Sequence, residues 1–151
     1  WRLGAEALPI ALVAQKPLDL LELMIGTNDL KFTDAYGAAK GAERLIDLAN
    51  MVQARKESSP VFPNGVKVLL VSPIELHPVV EGDPFGTLRN GVGESRKFAM
   101  YYRHIAEAHG AAFFDAASVA SPSETDGVHM DPPSHRALGR ALAEQVRALL
   151  G

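Results

Sequence analysis

Residues 18–31, LDLLELMIGTNDLK, decide the fold of this chain. Leu18 to Ile25 is an apolar run broken only by Asp19 and Glu22, the pattern of a strand buried on both faces of a parallel sheet. Its periodicity alone also fits a helix, but Pro17 before it and Gly26 after it favour a strand. The run stops at Gly26-Thr27-Asn28-Asp29, which places a residue permitting close backbone approach, and three hydrogen-bonding side chains, at a strand's carboxyl end. In open α/β sheets ligands bind outside such ends.

Downstream, residues 34–55 carry Ala42, Leu45, Ile46, Ala49 and Val52 at helical spacing, the stripe of a helix lying on a sheet. Pro60, Pro63 and Asn64-Gly65 mark a turn into a second strand, residues 66–71, which Ser72-Pro73 closes. Residues 73–92 read as a long irregular loop, of the length that in compact domains is usually functional. A helix is expected over 94–109, with Phe98, Tyr102 and Ile105 on one face and Gly110 as its cap. Residues 111–116 form a third strand. After a loop containing Pro122 and Asp126-Gly127, Asp131-Pro132 opens a last helix whose inner face is Leu138, Leu142, Val146 and Leu149. Upstream, residues 5–15 predict a short helix ending before Lys16-Pro17, with Pro9 tolerable only near its first turn.

Alternating helices and strands imply right-handed crossovers and a parallel sheet covered by helices on both faces, an α/β architecture. Three strands are few for such a sheet. Residues 1–151 are therefore expected to form a single domain that is the C-terminal portion of a larger one, with further strands preceding Trp1.

Composition narrows the function classes. The chain is 47% hydrophobic and 22% charged, as in ordinary globular domains, with a mean hydropathy of +0.02. A net charge of −3 without a Lys/Arg cluster gives no footprint for nucleic acid. With no cysteine, disulfides, thiolate catalysis and cysteine-ligated zinc are excluded within the chain. No apolar run approaches the roughly 20 residues of a membrane span, and a cytoplasmic setting is expected.

The chemistry centres on two short groups, residues 26–29 and 126–129. The Asn28 amide is a neutral donor suited to a developing oxyanion, and Gly26 and Thr27 border the substrate side of the same turn, Thr27 with a structural part as well. His129 suits a general base, and Asp126, three residues earlier, can hold its tautomer and favour the imidazolium. Each group alone is also ordinary turn chemistry, and Asp29 serves equally well as a cap for the next helix or a brace. Asp126, His129, Asp131 and His135 are metal-ligand types, but Asp131 has a simpler use as a helix cap, and neither a metal nor another cofactor is expected. In the long loop, His77 reads as a surface histidine or an entrance residue, and Phe85 and Leu88 as an apolar pocket or as packing.

At these residues the chain resembles a known family. Gly26-Thr27-Asn28-Asp29 is similar to the Gly-x-Asn-Asp block, and Asp126-Gly127-Val128-His129 to the closing Asp-x-x-His block, of SGNH (GDSL-type) esterases and lipases. Residues 26–31, GTNDLK, and 141–147, ALAEQVR, further resemble the arylesterase/acyltransferase branch. The resemblance implies a three-layer, flavodoxin-like α/β/α fold and a serine carboxylic-ester hydrolase acting on a small-molecule ester. It also implies Asn28 in the oxyanion hole, His129 as base and Asp126 as its partner. The family's Gly-Asp-Ser nucleophile block is absent, and Gly82-Asp83-Pro84 is no substitute. Ser72 is the serine placed to compete, but Pro73 fits a strand-ending turn better than a nucleophile elbow. The serine is therefore expected on an N-terminal segment or a separate chain. A non-catalytic binding or assembly module and a metal-dependent hydrolase are the competing readings, and a homo-oligomer through the long loop is among the partners considered.

Overall fold

A computed structural model describes residues 2–55, 58–82, 88 and 90–151. The three apolar runs form parallel strands β1 (Leu21–Met24), β2 (Val68–Ser72) and β3 (Ala112–Asp115), in spatial order β1-β2-β3. Leu23 stands opposite Leu70, and Leu70 opposite Phe113. All five residues of β2 are buried, as its unalternating VLLVS requires of a central strand. β1 is an edge, with Leu23 buried and Glu22 and Met24 exposed; among the described residues no strand pairs with its outer side. It is shorter than its apolar run because the start of the run bonds elsewhere, Leu18 N–H donating to Val61 O at 2.8 Å.

Helices α2 (Ala35–Gln53) and α4 (Phe98–Ala108) cover one face of the sheet. Ala38, Ala42, Leu45 and Ile46 of α2 meet Phe98, Tyr102 and Ile105 of α4 over Leu23 and Leu70. Ala35, Ala38, Ala39 and Ala42 are fully buried along this contact. Helix α5 (Pro132–Leu150) covers the other face, laying Leu138, Leu142, Val146 and Leu149 on Leu69, Val71 and Ala116. Helix α1 (Arg2–Gln15) flanks α2, with Leu12 against Ala49, Val52 and Phe62. The result is the expected three-layer α/β/α arrangement.

The helix ends follow the sequence. Asp34 accepts from Gly37 N–H at 2.8 Å and Asp131 from Ser134 N–H at 2.9 Å, N-caps worth about 1 kcal/mol each. Gly110, at φ 63°, ends α4: its N–H bonds Glu107 O at 3.3 Å, and Ala111 N–H bonds Ala106 O at 2.8 Å.

Strand β2 is shifted from the expected 66–71 to Val68–Ser72, and two helices also differ from expectation. α1 begins at Arg2, which leaves Pro9 in its interior rather than its first turn; the packing of Leu8 and Leu12 against α2 outweighs the backbone bond that proline cannot donate. The helix expected over 94–109 is two, α3 (Gly91–Ser95) and α4. The break follows from side-chain bonds that the apolar stripe does not encode. Buried Ser95 accepts Leu76 N–H at 2.9 Å and donates to Val92 O at 3.0 Å, tying α3 to the loop after β2. Glu94 reaches back to accept Ala35 N–H at 2.9 Å, and Lys97 donates to its other oxygen at 2.6 Å. The Ala35 N–H first, then Lys97, hold the Glu94 carboxyl below its ordinary value. The long loop contains a 3-10 turn, Pro78–Gly82, and its Leu76, Val80 and Leu88 cluster with Val92. Phe85 lies outside the described residues.

Candidate active site

The first part of the site is built where β1 ends. The last residue in its ladder with β2 is Met24, so the Ile25 carbonyl has no sheet partner; the Tyr102 hydroxyl, rising from α4, donates to it at 2.7 Å. Burial first, and the Asp29 charge second, push the Tyr102 hydroxyl well above its ordinary pKa, so it stays a protonated donor. Gly26 follows with φ 128°, and a Cβ there would strike the Tyr102 hydroxyl. The chain then enters a 3-10 turn, Thr27–Lys31, closed by Asp29 N–H to Gly26 O at 3.0 Å. Asn28 is exposed at the head of this turn, and its side-chain amide makes no hydrogen bond among the described residues.

The second part is the loop before α5. Pro122 and Met130 form an antiparallel bridge across its neck, with Ser123 N–H on His129 O at 2.7 Å and Gly127 N–H on Ser123 O at 2.8 Å. Inside it Asp126 divides its carboxylate. Oδ1 accepts the N–H groups of Val128 and His129, both at 2.9 Å, and Oδ2 lies 2.7 Å from His129 Nδ1. The Val128 and His129 N–H groups, then the ring, hold Asp126 down to a pKa of about 2. An ionised acceptor requires hydrogen on Nδ1, which leaves Nε2 as the free nitrogen. The His129 side chain is 83% exposed, so that nitrogen is accessible. Gly127 lets the loop dock: at φ 71°, a Cβ would lie 2.6 Å from Val80 and 3.0 Å from His77 O, and Gly127 O accepts His77 N–H at 3.0 Å.

Two clefts of about 530 and 480 Å³ open on either side of these residues, and Thr27, Asn28, Val128 and His129 line both. Asp126, Lys31, Thr125, Val79 and Leu88 also line the first. Gly26, Met24, Pro73, Ile74, Met130 and His135 belong to the second. The structure thus gathers Gly26, Thr27, Asn28, Asp126 and His129 at one place. An amide donor beside an imidazole with a carboxylate behind it can stabilise an oxyanion and move a proton.

The remaining polar and loop residues are bonded within the fold or stand at the cleft walls. Ser72 is fully buried, and its hydroxyl donates to Asp115 at 2.9 Å. Asp131 is the α5 cap, and His135, exposed on that helix, lines the second cleft. Among the described residues no group of three or more His, Asp or Glu is close enough to hold a metal. The His77 ring accepts Val79 N–H at 3.2 Å, stabilising its own turn. His109 bridges α4 to α2 through Glu43 at 3.2 Å, a structural contact. Leu88 is buried and walls the first cleft. Sequence reasoning missed Lys31, although it lies in the deciding stretch, and the Tyr102 hydroxyl, whose partner is a backbone carbonyl and leaves no sequence signal. No helix among the described residues is long and apolar enough to cross a membrane.

A sequence model of the GDSL-like lipase/acylhydrolase family matches residues 1–137. Among solved structures, a carbohydrate acetylesterase family member from Sinorhizobium meliloti is 38% identical with a TM-score of 0.87, over 98% of this chain and 69% of its own. The native aryl esterase of M. smegmatis is 36% identical with a TM-score of 0.86, over 97% of this chain and 68% of its own. Est24, a carbohydrate acetylesterase from Sinorhizobium meliloti, is 30% identical with a TM-score of 0.83, over 97% and 68%. A search among curated proteins finds no match.

Proposed function

The chain belongs to the GDSL-like lipase/acylhydrolase family, and from that premise we propose that it carries the base, its carboxylate partner and one oxyanion donor of a serine carboxylic-ester hydrolase. His129 Nε2 takes the proton of a serine hydroxyl as the serine oxygen attacks the ester carbonyl. Asn28 donates its amide hydrogen to the oxyanion that forms, and Asp126 holds the imidazolium in orientation. Collapse of the tetrahedral intermediate releases the alcohol, which leaves with the proton from His129. Water, deprotonated by the same nitrogen, then attacks the acyl-enzyme, and the serine oxygen leaves with the proton from His129 as the acid is released; a second alcohol in place of water gives acyl transfer.

The substrate is a small ester of the arylesterase or acetylesterase class, which a cleft of about 530 Å³ accommodates. The serine comes from a segment N-terminal to Trp1 or from a separate chain. The outer edge of β1 offers such a segment a strand to pair with, and Met24 and Gly26 at that strand's end line the second cleft.

The observation that carries this reading is the 2.7 Å contact between Asp126 and His129, with the ring's far side open beside Asn28. The test is hydrolysis of an aryl acetate by this chain together with the serine-bearing part, compared with its His129→Ala variant. Loss of turnover supports the assignment. Turnover near the parent level refutes it, and failure of the parent to turn over any short-chain ester favours a binding module.

A further inference from the structure

We propose that Tyr102 is a positioning residue that sets the oxyanion donor by pinning the carbonyl of Ile25 and the backbone of Gly26. The inference rests on the reading of Asn28 given above. Three observations on the same few atoms carry it. The Tyr102 hydroxyl donates to Ile25 O at 2.7 Å, one residue beyond the last rung between β1 and β2, and so replaces the rung the sheet does not supply. The same hydroxyl fills the space a side chain on Gly26 would occupy, so the left-handed conformation at φ 128° and the tyrosine are fitted to each other. Gly26 O in turn accepts Asp29 N–H at 3.0 Å, which closes the turn on whose exposed side Asn28 stands.

The tyrosine is itself well held. It is fully buried in α4, with its ring edge-on to Phe98 at 5.6 Å. Asn28, by contrast, has no bond of its own among the described residues, so the backbone of the turn is what fixes where its side chain starts. A chain of contacts therefore runs from the α4 core to the donor. Tyr102 touches neither cleft, and its effect on chemistry passes through Gly26 and Asn28.

Removing only the hydroxyl leaves the ring packing in place and frees the Ile25 carbonyl. The test compares Tyr102→Phe, Asn28→Ala, the double variant, and Ile105→Val, which loosens the same core without touching the hydroxyl. Steady-state hydrolysis of an aryl acetate is measured in the serine-bearing protein, and amide exchange of Asp29 in the folded chain. The expected result is a fall in kcat of about tenfold to a hundredfold for Tyr102→Phe with little change in KM. The double variant should be no slower than Asn28→Ala alone, Asp29 exchange should quicken about tenfold or more, and Ile105→Val should keep the parent kcat. If Asn28→Ala is impaired while Tyr102→Phe matches the parent in kcat and in Asp29 exchange, the role of Tyr102 is overturned and that of Asn28 stands. If Asn28→Ala itself matches the parent, the oxyanion reading fails and the inference fails with it. Fully multiplicative effects in the double variant, or an equal loss in Ile105→Val, also overturn it.

Discussion

Ser72 with Asp115, and His129 with Asp126, are two versions of one arrangement: a polar side chain bonded to a carboxylate at the carboxyl side of the sheet. The distances are nearly the same, 2.9 and 2.7 Å. Their surroundings are opposite. Ser72 lies in the fully buried β2, and Asp115 spends the same oxygen on Ala117 N–H at 3.1 Å to start the next turn. His129 stands on a loop with its ring 83% exposed, and Asp126 keeps one oxygen for backbone N–H groups and the other for the ring. Pairing alone does not make a site; access does. A buried pair supports strands, whereas a pair whose far nitrogen is open can exchange a proton with a substrate.

The comparison is broken most severely at His129. In the serine-bearing protein, His129→Ala is expected to lower kcat by about 10⁴-fold or more, read with an aryl acetate. Ser72→Ala in the same assay should leave kcat near the parent value; a large loss there would revive Ser72 as a reacting group. Asp126→Asn keeps the shape and removes the charge facing the imidazolium, and is expected to cost about 10²- to 10⁴-fold in kcat. Asn28→Ala is expected to cost about 10²- to 10³-fold, in kcat rather than KM, because an oxyanion donor acts on the transition state.

Smaller effects sharpen the same contrast in stability. Ser72→Ala, silent in turnover, should lower unfolding stability by about 1–3 kcal/mol in urea denaturation, since it deprives a part-buried carboxylate of a donor. The Asp126 carboxyl, depressed from 3.8 to about 2, contributes stability present above its unfolded value and lost as pH falls through about 2. An NMR titration should place its midpoint near 2, with the Val128 and His129 amides losing protection over the same range. A midpoint at the ordinary value of 3.8 would show that the loop does not hold the carboxylate.

What the sequence made legible follows the same line between core and loop. The strands, and the stripe of Phe98, Tyr102 and Ile105, were readable because burial imposes a period on apolar residues. The break between α3 and α4 was not, because Ser95 and Glu94 act on backbone groups 19 and 59 residues away. Pro9 misled for a related reason, since its cost is local while the packing that outweighs it lies on α2. At the candidate site, Gly26 to Asn28 and Asp126 to His129 stand out in the sequence as short motifs, and the fold brings them to shared clefts. The docking of Gly127 on Val80 and the tie from Tyr102 to Ile25 were not, because each joins segments far apart in the chain.

Under the proposed function this chain supplies base and oxyanion donor to a serine that lies outside residues 1–151. Intact-mass analysis under denaturing conditions, after treatment of the active protein with a serine-reactive fluorophosphonate, locates that serine. One adduct is expected, on a serine outside residues 1–151, and it should be lost or greatly slowed in His129→Ala. An adduct on Ser72, or labelling at the parent rate in His129→Ala, would contradict it.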